Sequence, residues 1–253
     1  MLNRRWLWIG LGIAWIAAGC SSHDARQHGG LYTPERIANI RRNVERCDWA
    51  RAERDQAVAR AACWLAKNDE DLWRMVLGQD LPRAIDVTMT RRPGRPPIQK
   101  GCLVCGEAVY KMGAYPWLVD IERRPWKIEC PSCHSIFPSN DFGPYFSSGI
   151  DERGLFDPKR ADRSLLFNAE HTAPDDPKRS WAVDDGFGYV DGNGVEFRFI
   201  AYYAWKYWGH IQDGISILAD AYLYSGDKEY AAKAAILLDR LADVYPSMDW
   251  KPY

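Results

Sequence analysis

The sequence lacks an excess of either charge: 33 Lys and Arg stand against 34 Asp and Glu, a formal net charge of -1. No global field therefore draws the chain to nucleic acid or to an anionic membrane, and an anionic ligand must be met by local groups. It also lacks an apolar run long enough to span a bilayer comfortably. The candidate, residues 6–18, falls short of the ~20 residues that a hydrocarbon core of about 30 Å demands. Low apolar content is not among its deficits: 47% hydrophobic residues in 253 can bury a substantial core, which excludes a disordered chain. Aromatics are plentiful, with 12 Trp and 13 Tyr. Their flat faces suit sugar rings as well as an ordinary helical core.

Asn3, Arg4 and Arg5 precede the apolar run, and Gly19-Cys20-Ser21-Ser22 follows it. This is the layout of an export signal. Ala17-Ala18-Gly19-Cys20 resembles the lipobox of bacterial lipoproteins, which implies cleavage before an acylated Cys20 and a periplasmic or cell-surface protein held on its membrane by a lipid anchor. An ordinary secretory signal cut nearby is the alternative, and the Arg pair leaves twin-arginine export open. Residues 21–32 then read as a polar tether.

Beyond Cys20, six cysteines remain, and four of them stand apart. Cys102-Leu-Val-Cys105 and Cys130-Pro-Ser-Cys133 are separated by 24 residues, close to the two-knuckle spacing of a zinc ribbon. A two-residue gap lets a tight turn aim two thiolates at one point, and Gly106 and Pro131 supply turn conformations. With sulfur at all four positions no site is left for water, so a bound zinc would be structural. The competing arrangement is a pair of disulfides, since export leads to an oxidising compartment; a Cys-x-x-Cys disulfide is strained, however, and typical of redox catalysts. His134 is expected to be a neighbour of the site. Cys47 and Cys63 fall in one helical stretch, about 24 Å apart along a continuous helix, and are expected to be buried as small apolar residues.

The remaining pattern is mainly helical. Thr33-Pro34-Glu35 has the form of a helix start, opening an N-terminal helical region at 33–96. The helical stretch after that start is expected to reach about Lys67, and Asp69 is expected to cap a further short helix, ended by Gly78. Arg91-Arg-Pro-Gly-Arg-Pro-Pro97 is basic and proline-rich, a solvated connector or a patch for an anionic polymer. A zinc-ribbon-like module occupies 97–142, with a β-like segment at Trp126-Lys-Ile-Glu129. The region 143–253 begins irregular, with a short helical stretch near Arg163, and ends in an αα-hairpin. Its first helix carries Phe199, Tyr203, Tyr207, Ile211, Ile215, Leu218 and Tyr222 at intervals of three and four; Ser225-Gly226-Asp227 breaks it. The second helix buries a stripe of Tyr230, Ala234, Leu237, Leu238 and Leu241. Such a hairpin cannot cover its own apolar face, so stacked hairpins are its natural completion.

Several of these segments carry a resemblance. Asp69-Glu-Asp-Leu-Trp73 with Gly78-Gln79 and Pro82-Arg83, Trp126-Lys-Ile-Glu-Cys130 running on to Phe142, Gly154-Leu-Phe-Asp-Pro158, Trp181-Ala-Val-Asp-Asp-Gly-Phe-Gly188 and the final hairpin resemble the bacterial heparinase II/III-like and alginate-lyase-like polysaccharide lyases. The resemblance covers about 31–253. It implies the fold class: an incomplete (α/α) toroid-type helical domain with an inserted small zinc-ribbon-like β element. It also implies the activity, β-elimination across a uronate bond of a heparin-, alginate- or chondroitin-like acidic polysaccharide. There a Tyr or His removes the C5 proton while Asn, His or Arg steadies the enolate. In the family the catalytic residues generally lie beyond a first hairpin, so they are expected past residue 253. Within the chain His210 and Tyr203 are the catalytic candidates, and Trp181, Asp184, Asp185, Tyr202 and Tyr203 are candidates for a sugar subsite. Core packing for the aromatics and turn chemistry for the aspartates are the competing roles. A non-catalytic lipoprotein that binds glycan or a partner, with the ribbon as scaffold, is the alternative to an enzyme.

Overall fold

The computed structural model describes residues 30–77, 80–88, 90–92 and 95–248, with the backbone alone at 90–92 and 95–98. The export signal, Cys20, most of the tether, Gly78 and Gln79, Pro93 and Gly94, and the terminal 249–253 lie outside the described residues. The chain divides into two compact units, 1–39 and 40–253. In the first, the described residues hold the start of helix α1 (Pro34–Arg46). Thr33 caps it as its sequence demands: Thr33 Oγ1 accepts from the Arg36 amide at 3.3 Å.

The second unit is mainly helical, with few strands. Helix α2 (Asp48–Leu65) does not continue α1. Cys47, extended at φ -120° and ψ 130°, divides the helical stretch expected to reach about Lys67 into two helices. The expected burial of the two outlying thiols also fails, because Cys47 is half-buried and Cys63 exposed. The buried face of α2 is the Ala50, Ala57, Ala61 and Trp64 stripe, and Cys63 points away from it. Helix α3 (Asp69–Met75) is capped by Asn68, not by Asp69; the Asn68 side chain accepts from the Asp71 amide at 2.8 Å. Strands β1 (Thr90–Arg92) and β2 (Arg95–Ile98) form an antiparallel hairpin in the segment expected to be a loop. A short 3-10 helix follows at Glu107–Met112.

Strands β3 (Ile128–Glu129) and β4 (Ile136–Phe137) pair antiparallel, Glu129 opposite Ile136. Helix α4 (Phe142–Ser148) then lies where only irregular chain was expected; Gly143-Pro144 disguises it, yet proline in a first turn leaves no helical hydrogen bond unmade. A single 3-10 turn at Arg163–Leu165 and a third hairpin, β5 (Tyr189–Val190) with β6 (Glu196–Phe197), lead to the long helix α5 (Phe199–Ser225). Gly226, left-handed at φ 78°, ends α5, and Asp227 caps α6 (Lys228–Val244) by accepting from the Glu229 amide at 3.0 Å. The expected stripe of α6 holds at Tyr230, Ala234 and Leu237, whereas Leu238 is 49% exposed.

Two apolar cores share α5. One gathers Trp64, Leu72, Val109, Trp117, Phe137, Phe199, Tyr203 and Leu237, and the other gathers Leu81, Phe142, Tyr145, Phe156, Ile200 and Ala204. Cys102 and Cys130 belong to the first. The metal-type knuckles are thus set into the main core. They are not appended to it.

Candidate functional site

The four cysteines expected to converge do so. Their sulfurs lie within 4.8 Å of one another, with Cys102 Sγ 3.7 Å from Cys133 Sγ and Cys105 Sγ 3.6 Å from Cys130 Sγ. A disulfide needs about 2.05 Å, so these are free thiols. A tetrahedron with bonds of about 2.3 Å has edges of about 3.8 Å, and the Cys102–Cys133 and Cys105–Cys130 separations match that edge length. It could hold a metal ion with every ligand position supplied by the chain.

The two knuckles are built alike. In the first, Cys102 N donates to Gly106 O and Gly106 N to Cys102 O, both at 2.9 Å; in the second, Cys130 N donates to Ser135 O at 2.9 Å and His134 N to Cys130 O at 2.8 Å. Gly106 (φ 60°) and His134 (φ 60°) take the same left-handed position. Gly101, which sequence reading passed over, is equally required. It is left-handed, and a Cβ there would sit 2.3 Å from Gly106 O. Amide donors face the sulfurs, among them Val104 N to Cys102 Sγ at 3.4 Å.

Burial pushes the Cys102 and Cys130 thiols up, against backbone donors that pull them down. At Cys133 burial also acts upward, but the Ser135 hydroxyl and amide together with the neighbouring Cys130 and Cys105 sulfurs bring that thiol down to about 7. Ionising the buried pair therefore calls for a compensating cation, which is the chemistry of a thiolate metal site. His134 is no ligand; its Nδ1 lies 3.0 Å from Glu129 Oε1, and Arg124 pairs with the same carboxylate.

Compared with protein-family models, with curated proteins and with solved structures, the chain matches none.

The residues expected to line a sugar subsite differ in exposure. Tyr202 and Tyr203 are buried in the core, as is Asp184, while Trp181 remains 38% exposed. Tyr202 spends its hydroxyl on Tyr115 O at 2.8 Å. Asp184 is an organiser of backbone: Oδ1 accepts from the Gly186 and Gly188 amides at 2.8 and 3.0 Å, and Oδ2 from the Ile200 amide at 3.0 Å. Its own amide and carbonyl are held by the Asn140 side chain. The Asp-Asp-Gly run thus fixes the entry into α5, a role wider than the local turn its sequence indicates. Burial pushes Asp184 up to about 6 despite the three amides. Asp185 pairs instead with Arg163 at 3.0 Å.

Neither catalytic candidate is a ready base. Burial pushes Tyr203 up to about 12, so it is a neutral phenol at physiological pH. His210 is held below the usual imidazole range by burial, with Lys67 acting the same way and Glu122 and Asp213 opposing. It is neutral at pH 7, but Nε2 is buried and without a hydrogen-bond partner, and the ring packs 4.7 Å from Trp64.

His210 does border a cleft of about 810 Å³. One wall is α5, through Trp205, Lys206 and His210; another is the chain between the two knuckles, through Trp117, Leu118, Val119 and Ile121. Lys206 Nζ sits 4.6 Å over the Trp205 ring, and the Arg83 guanidinium 5.5 Å over Trp208. Sequence reading missed Arg83 and Lys206 as site residues. Only the folded chain brings them to one cavity.

Proposed function

We propose that the chain is the N-terminal part of an exported, lipid-anchored polysaccharide lyase that acts on a uronate-containing glycan, with zinc as the structural ion of its thiolate quartet. On this reading α5 and α6 are the first hairpin of an (α/α) toroid, and the exposed Leu238 and Tyr245 belong to a face that further hairpins cover. The observation that carries the reading is the cleft itself. Aromatic walls and two cations, Arg83 and Lys206, meet in a cavity of about 810 Å³, which suits sugar rings bearing carboxylates. No metal is needed at the reacting carbon, so a closed tetrathiolate is compatible with elimination.

A lyase leaves an unsaturated uronate that absorbs in the ultraviolet. Incubation with alginate, heparin and chondroitin reads whether this chain carries that activity itself: new absorbance with one of them establishes it. Binding without new absorbance would reject catalysis by this chain and favour the second reading, a non-catalytic lipoprotein that binds glycan. A specific observation supports that second reading: Tyr203 is a buried neutral phenol and His210 Nε2 is sealed from solvent.

A further inference from the structure

The wall of the cleft that comes from between the knuckles has little structure of its own. From Cys105 to β3 it holds one short 3-10 helix, Glu107–Met112, and turns. Tyr202 on α5 holds it through the Tyr115 carbonyl at 2.8 Å, and two further features fasten it. Leu118 N donates to Glu129 O and Glu129 N to Leu118 O, both at 2.9 Å, and Cys130 follows Glu129 directly. Trp117, 3% exposed, meets Phe137 edge-on at 6.2 Å, and Phe137 lies on β4, just past Cys133. Both fastenings run to the second knuckle. At its other end the segment departs from the first knuckle, and the quartet is where the two knuckles meet.

We infer that the thiolate metal centre and the cleft are one linked unit, in which the bound ion orders the Trp117-to-Ile121 wall and thereby sets affinity for an acidic sugar in the cleft. The inference rests on the reading of the cleft as a site for acidic glycan. With the ion bound, the segment is tied at both ends. Stripped of it, the four thiols no longer join the knuckles, and the wall is left with the Leu118–Glu129 pair, the Trp117 ring and the Tyr202–Tyr115 bond, so its local opening becomes easier. Linkage is reciprocal. If zinc raises the affinity for a saccharide by some factor, the saccharide raises the affinity for zinc by the same factor.

The test uses the full chain, zinc-loaded and chelator-stripped, with a mannuronate tetrasaccharide and a heparin-derived tetrasaccharide as probes. On stripping, amide exchange at Leu118 and Glu129 is expected to quicken at least about tenfold while α2, α5 and α6 keep their protection. Saccharide affinity is expected to fall about tenfold, and competition with a chromophoric chelator should show the matching gain in zinc affinity when saccharide is present. Cys133→Ser, still carrying three thiols, is expected to repeat both effects in weaker form. Unchanged exchange at Leu118 and Glu129, or equal saccharide affinity with and without zinc, overturns the linkage. Exchange that quickens throughout α5 as well also overturns it, since the ion would then hold the whole unit. Failure of the loaded protein to bind either probe rejects the glycan reading and the linkage together, and the exchange data show separately whether zinc orders the wall.

Discussion

Adding one methyl group to α5 is expected to have opposite effects at two positions five residues apart. At Gly214 a Cβ would lie 2.4 Å from Trp64 Cη2 and 2.5 Å from Cζ2. Trp64 is 2% exposed, and its ring is backed by His210 at 4.7 Å. The indole cannot swing away, so α2 and α5 must part or the ring must leave its rotamer. Overpacking of this kind costs about 1–3 kcal/mol, offset by the helix propensity that alanine gains over glycine, about 1 kcal/mol. A 2.4 Å approach to a confined ring puts the cost in the upper part of that range, about 2–3 kcal/mol, so Gly214→Ala should lose about 1–2 kcal/mol, lowering Tm by roughly 2–8 °C for a unit of this size. At Gly209 nothing lies within 4 Å of the added Cβ. Only the propensity remains, and Gly209→Ala should gain about 0.5–1 kcal/mol, or roughly 2–4 °C. Thermal melts of both variants followed at a helical wavelength check the pair. A Gly214→Ala protein as stable as wild type would show that the close approach of α2 and α5 is not what holds Trp64 under the cleft.

Asp184→Ala leaves the Gly186, Gly188 and Ile200 amides without their acceptor and should cost roughly 3–5 kcal/mol in urea unfolding. The folded carboxyl sits at about 6, above the ordinary value of about 3.9. The native state thus holds the proton more tightly, and that part of the stability is full below pH ~4 and fades as pH rises through about 6. The gap between wild type and the variant should narrow from pH 4.5 to 6.5; a widening gap contradicts the assignment. Thiol labelling of the zinc-loaded chain should mark exposed Cys63 first, and four further thiols should appear only after chelation; early labelling of the quartet would argue against a bound ion. Lys206→Ala should weaken binding of an acidic tetrasaccharide roughly three- to tenfold, with a shallower salt dependence. Equal affinity at low salt would place the sugar elsewhere.

Features set by short-range chemistry were legible in the sequence. Cys-x-x-Cys repeated at ribbon spacing announced four converging sulfurs, and Ser225-Gly-Asp227 announced the turn between α5 and α6, because each depends on a few adjacent residues. The break at Cys47 was not legible, since no glycine or proline marks it and its extended backbone answers to packing on either side. Helix α4 was concealed by Gly143-Pro144. The role of Asp184 was half visible: Asp-Asp-Gly indicates a turn, but its bond to the Ile200 amide spans sixteen residues. For Tyr203 the helical period correctly marked a buried face, and Tyr202, outside that stripe, proves buried in the same core. The cleft could not be foreseen, as Arg83, Trp117 and Lys206 come from segments that only the tertiary fold unites.

The ribbon segment explains why a metal would be needed at all. Its strands β3 and β4 are two residues each, far short of what a hairpin needs to persist unaided. It buries Val109, Trp117, Ile128 and Phe137 only by leaning on α5 and its neighbours. Apolar contact can hold such a segment down, but it is non-directional and leaves the order of the turns unspecified. Four sulfur bonds to one ion specify it. Because Cys102 and Cys130 are themselves core residues whose thiols are pushed up by burial, losing the ion lets them revert to neutral, small, apolar groups that remain well packed. The expected consequence is local: the helices stay folded and the cleft wall loosens.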